Sequence, residues 1–180
     1  MFSESRAAAP FVSTPTNAKG NTMANIPKSI SVTADDGRAF PRICDFFEAL
    51  GATKRDGTPY GPNSFRSGDH TLPNGRLFLF LRFDHREAEP FDWRNRLETQ
   101  DGETFVTEFE KPGGVSNALV RCWNKRKATL GTGNPVHAQI LGKVAEGWQF
   151  FGEFELVGCN LSNHPFWEKW KRVSKTASAV

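Results

Sequence analysis

The chain has 180 residues, enough to bury one sizeable core, and its 23 basic and 20 acidic residues leave a net charge of +3. That balance permits contact with phosphates but does not demand it, so the local placement of charge matters more than the sum. Cys44, Cys122 and Cys159 are far apart and form no CxxC pair, which argues against a structural zinc site or a disulfide framework and for reduced thiols in a cytoplasmic protein.

The amino-terminal residues 1–28 are rich in Ala, Ser, Thr, Asn and Pro, and are expected to form a loosely ordered tail without an apolar leader core. A single α+β domain is expected over 29–180, with 29–76 a helical appendage to a β core at 77–158. Ser29–Thr33 alternates as a short strand, ended by Asp35-Asp36-Gly37. Ile43, Phe46, Phe47 and Leu50 then recur at i, i+3, i+4 and i+7, the pattern of an amphipathic helix between Pro41 and Gly51. Residues 52–76 are polar and rich in glycine and proline, and read as a loop.

Leu77–Phe83 is apolar throughout, as a central strand covered on both faces would be, yet it is far too short to span a bilayer. Asp84–Asn95 reads as a loop. Two later runs, Thr104–Glu110 and Trp148–Val157, alternate at period two, each with its apolar residues on one face. Between them stand a Lys111–Gly114 turn, a helix around Asn117–Trp123, and a strand at Val136–Val144 that turns through Glu146-Gly147. The aromatic, basic tail Pro165–Val173 reads as a closing helix that docks Phe166, Trp167 and Trp170 on the sheet, the alternative being an extension that contacts phosphates or bases.

Arg121–Lys127 carries four basic residues in seven, with Trp123 among them. Cations bind phosphates and an exposed aromatic ring stacks on an unpaired base, so this segment is the candidate nucleic-acid site. Arg121, Trp123, Asn124, Lys125, Arg126 and Lys127 are its expected residues, joined into one positive surface by Lys169, Lys171 and Arg172. The alternative for Trp123 is a helix that turns Leu119, Val120 and Trp123 toward the core. No phosphate loop, HExxH, GxSxG or paired-cysteine signature is present, and no catalytic residue, metal or cofactor is expected. A metal-dependent nuclease built on Asp84, Glu87 or Glu108 is the enzyme alternative, but these carboxylates and Glu110 are expected to face solvent on separate elements. A protein-interaction domain of a phage or mobile element is a third reading.

Within residues 78–158 an apolar strand (Phe78-Leu79-Phe80) precedes an Asp101-Gly102 turn, then Lys111–Gly114, Arg121–Asn124 and the strand Phe150–Gly158. This order resembles the amino-terminal domain of certain HNH-type restriction endonucleases, of the PUA-like group that includes SRA readers of modified bases. The resemblance implies a curved or barrel-like mixed sheet with one or two packed helices, and a reader of modified DNA, rather than RNA, linked to restriction or defence. No HNH motif accompanies His70, His85, His137 or His164, so the reader is expected to lack the cutter.

Overall fold

A computed structural model describes residues 31–65, 68–84, 94–110, 117–160, 162 and 165–178. The expected tail at 1–28, the Lys111–Gly114 turn and most of the loop with Phe91 and Trp93 lie outside the described residues.

The elements run β1 (Ser31–Thr33), β2 (Ala39–Phe40), α1 (Ile43–Ala49), β3 (Asp69–Thr71), β4 (Leu77–Arg82), β5 (Arg96–Gln100), β6 (Glu103–Glu110), α2 (Asn117–Gly131), β7 (His137–Val144), β8 (Gly147–Asn160), β9 (Phe166–Ser174) and β10 (Thr176–Ser178). The main sheet has the order β3-β4-β7-β8-β9-β6-β5, with β2 added along β8. Among the described residues only β4 and β7 pair in parallel, so the sheet is mixed. The fold is α+β, and the sheet does not close into a barrel. It curves enough for Asn95 to bridge distant strands: its Nδ2 donates to Arg82 O on β4, and its Oδ1 accepts from Phe109 N on β6.

The expected helix at 43–50 forms because its apolar face finds a matching face on the sheet. Phe46, Phe47 and Leu50 are buried against Phe40, Phe78, Phe80, Leu141 and Phe150. The Phe46 ring stacks on Phe150 at 5.7 Å and meets Phe40 edge-on at 5.4 Å, arrangements that favour aromatic quadrupoles. Asp45 fixes the first turn by accepting from Arg42 N at 3.0 Å. On the opposite face of the sheet, Leu79, Leu81, Val106, Ala138, Ile140, Phe154, Leu156 and Trp170 form a second core, against which Leu130 of α2 packs.

The run Trp148–Val157, expected to keep one apolar face, serves both cores. Ile140 pairs with Gly152 and Leu141 with Phe150, leaving Phe151 as an extra residue in β8. The bulge shifts the side-chain phase, so Phe150 faces α1 whereas Phe154 and Leu156 face α2. Gly152 at this point has φ +124°, and a Cβ there would collide with Ser174 O of β9.

The tail at 166–174 is β9, a central strand, and not the expected helix. Its neighbours β8 and β6 satisfy its backbone on both sides, and the strand period sends Trp167 and Trp170 to opposite faces. β3 falls within the stretch 52–76 read as a loop, and β5 has no counterpart in the sequence reading; both are short and largely polar. Asp101 (φ 52°) and Gly102 (φ 78°) supply the two left-handed residues of the β5–β6 hairpin.

Replacing Phe46 by Ala should lower stability by about 3–5 kcal/mol, because it empties the centre of the first core. Val173→Ala, at a position 47% exposed, should stay within about 0.5 kcal/mol. Denaturant midpoints of the two variants check both.

Candidate nucleic-acid interface

The expected site residues separate according to the period of the element that carries each. On α2, Trp123 and Arg126 are spaced by three and share the inward face; both are buried. Asn124, Lys125 and Lys127 project from the same helix into solvent. The side chain of Arg121 lies outside the described residues. The reading of Trp123 and Arg126 as nucleic-acid contacts is therefore corrected: the core side of α2 takes both.

Arg126 is held by Glu168 of β9. Its Nε donates to both carboxylate oxygens at 3.1 Å, its Nη2 donates to Oε2 at 2.8 Å, and its Nη1 reaches Asp69 of β3 at 3.3 Å. Glu168 is fully buried, and Glu108 lies directly across from it on β6. The expectation that Glu108 faces solvent is thus overturned. The run 104–110 keeps its alternation but reverses its phase: Thr104, Val106 and Glu108 turn inward, leaving Phe105 and Phe109 half-buried on the other face. Burial, then the nearby charge of Glu168, pushes the Glu108 carboxyl up to about 8 despite the opposing pull of Arg126. Glu168 carries the hydrogen bonds from Arg126, whereas Glu108 Oε2 has no partner among the described residues, so the proton of the pair belongs on Glu108 at neutral pH.

Among the described residues no group of three or more His, Cys, Asp or Glu is placed to hold a metal ion. Asp84 is paired with Arg82 at 2.9 Å, and Glu87 lies outside the described residues.

Because Glu168 and Trp170 point toward α2, their neighbours Lys169 and Lys171 emerge on the opposite face. Arg172 is half-buried, its Nη1 directed to Phe151 O at 3.5 Å and its methylenes lying at Gly152. The exposed cations of α2 and those of β9 consequently do not form the single positive surface that was expected.

The sheet face bearing Lys169 instead presents a different constellation. Across β9, β6 and β5 one row reads Lys169, Thr107, Arg96; the next pairs Trp167 with Phe109. Trp167 lies over Gly158 of β8, its indole at van der Waals distance from where a Cβ would stand. The Arg96 guanidinium sits 4.9 Å from the centre of the Phe109 ring, and the Lys169 ammonium 4.6 Å from that of Phe105. Lys171 pairs with Glu103 at 2.6 Å, marking the end of the patch where acids begin. Phe105, Phe109 and Trp167 belong to neither core, and remain half-buried on this face. The signal for the patch was present as the alternation of Phe105, Thr107 and Phe109, but sequence reasoning assigned that face to the core.

Compared with family models, with curated proteins and with solved structures, the chain matches none. No helix among the described residues is long and apolar enough to cross a membrane.

Two outcomes follow from the buried cluster. Arg126→Ala should destabilise by about 3–5 kcal/mol, since it strands Glu168 without its counter-charge, whereas Lys125→Ala and Lys127→Ala should each change stability by less than about 0.5 kcal/mol. Thermal melts of the three proteins check this. Glu108 has a folded pKa near 8 against an ordinary value of 4.5, so its contribution to stability is complete below the ordinary value and is lost as pH rises through 8. Glu108→Gln should flatten this decline and be the more stable protein above about pH 8, as urea midpoints measured across the range would reveal.

Proposed function

We propose that the protein is a nucleic-acid-binding module that takes a single strand on the β9–β6–β5 face, with Trp167 and the Phe109 ring capped by Arg96 as the stacking surface and Lys169 as a phosphate contact. The observation that carries this reading is the cross-strand neighbourhood of Trp167 and Phe109 next to a row containing two cations. Aromatic faces stack on any unpaired base, and adjacent cations follow the backbone, so the arrangement supports affinity without sequence selection. Thr107 stands between Lys169 and Arg96 in the row beside the two rings and adds little bulk there.

Duplex DNA is a poorer fit. The bases of an intact duplex are stacked on one another, so the aromatic rings of a sheet face have no access to them. Reading of a modified base, which the PUA-like resemblance implies, calls for an enclosing pocket, whereas the described residues here form rows on a sheet face. DNA is the partner implied by that resemblance; the chemistry of stacking and phosphate contact applies equally to RNA.

Binding of a fluorescent oligonucleotide at several salt concentrations tests the proposal. Trp167→Ala and Phe109→Ala should each weaken binding by about 1–3 kcal/mol. Lys169→Ala should weaken it and reduce the salt slope by about one. The pair Lys125→Ala and Lys127→Ala, on the far side of the sheet, should leave affinity within about twofold of the parent. Affinity that survives loss of Trp167 and Phe109, or that disappears with the two α2 lysines, would refute the assignment.

A further inference from the structure

A second candidate site stands at the opposite edge of the sheet, beside β3. Here a cleft of about 560 Å³ is lined by Lys54, Arg55, Tyr60, Ser64, His70 and Thr71, a volume within the rough 300–1,000 Å³ range of small-molecule sites. An adjoining hollow of about 450 Å³ shares Lys54 and Arg55, so the two cations stand on the ridge between them.

The ridge is a fixed turn. Lys54 N donates to Thr58 O at 2.9 Å, Gly57 N donates to Lys54 O at 3.0 Å, and Thr53 bridges to Pro59. Asp56, the acid within the turn, accepts from Thr58 N at 3.0 Å and from Thr58 Oγ1 at 2.7 Å. Those bonds, both made to Oδ1, hold its carboxyl below the usual range, with a smaller contribution from the charge of Lys54. Lys54 and Arg55 form no ion pair among the described residues, and both are exposed.

The inner wall is aromatic. Tyr60, the single tyrosine of the sequence, packs on Phe47 and Phe65, each at 5.2 Å, and meets His70 edge-on at 5.3 Å. Phe47 and Phe65 in turn stack at 4.8 Å, which ties this wall to the core under α1. His70 Nε2 is shielded from solvent and has no hydrogen-bond partner among the described residues. Burial lowers its pKa, so the imidazole is neutral at pH 7 and has one ring nitrogen unsatisfied.

We propose that this cleft binds a mononucleotide, with the planar base against Tyr60 and His70 and the phosphate at Lys54 and Arg55. Two unpaired cations on a rigid turn favour an anion, whereas the aromatic wall favours a flat ring; a mononucleotide is the class of ligand that carries both in one molecule. The polar rim of Ser64 and Thr71 suits the hydroxyls of a sugar between them. The site does not rest on the sheet-face reading, since the residues lining the cleft include none of Trp167, Phe109, Lys169 and Arg96.

Calorimetric titration of the full chain at low ionic strength tests it, with the four common 5′-ribonucleoside monophosphates, their nucleosides and inorganic phosphate as probes. At least one monophosphate should bind about tenfold more tightly than either its nucleoside or phosphate. The double variant Lys54→Ala/Arg55→Ala should lose about tenfold or more of that affinity while keeping its melting temperature, because both side chains are solvated. Lys169→Ala should leave mononucleotide binding unchanged, which separates this site from the sheet face. The proposal is overturned if no monophosphate binds at millimolar concentration, if nucleoside or phosphate alone binds as tightly, or if the double variant binds like the parent.

Discussion

The ion pair of Arg126 with Glu168 is the constraint on which the rest of this structure depends. A buried carboxylate in the centre of β9 is expensive unless a cation reaches it, and α2 supplies the one that does. Once Arg126 points inward, the helix period brings Trp123 with it, and Asn124, Lys125 and Lys127 are left to solvent. Glu168 likewise fixes the phase of β9, since Trp170 must then share its face and Lys169 and Lys171 must take the other. The same register determines β6, where Glu108 opposite Glu168 turns inward and leaves Phe105 and Phe109 outside. One interaction thereby determines which aromatic and basic side chains are available to a partner.

A pair of this kind adds less to net stability than to specificity. Its attraction is largely offset by the desolvation of both groups, and Glu108 adds a second carboxyl that stays neutral only while it keeps its proton. An apolar replacement of the whole cluster would satisfy the core at least as well. What it would not do is distinguish the two faces of β6 and β9, each of which has enough apolar side chains to be buried. The charged cluster resolves that ambiguity in favour of Val106 and Trp170, and the sheet face with Phe109 and Trp167 stays open.

Most elements were legible in the sequence, and the failures have one cause. The helix at 43–50 was clear because its four apolar residues fit a single stripe, and the central strand at 77–82 because both of its faces are apolar. Periodicity fixes which residues share a face, but it does not say which face is buried. For β6 the more hydrophobic side, Phe105 and Phe109, was the natural choice, and the tertiary partner of Glu108 reversed it. For β9 the Trp167–Trp170 spacing of three imitated a helix, whereas flanking strands imposed a period of two. The bulge at Phe151 was equally hidden, since nothing local marks an extra residue in an alternating run. The basic segment 121–127 was visible as composition; that its Trp and one Arg belong to the interior follows only from a glutamate 42 positions further along the chain.

The central claim is that nucleic acid meets the β9–β6–β5 face and not the basic helix. Hydrogen–deuterium exchange of the full chain, with and without a saturating single-stranded oligonucleotide, tests it most directly, because it maps contact without altering any residue. The account predicts slower exchange at 105–109 and 167–171, with 122–127 unchanged. Protection confined to 122–127, or spread over neither region despite measured binding, would contradict it.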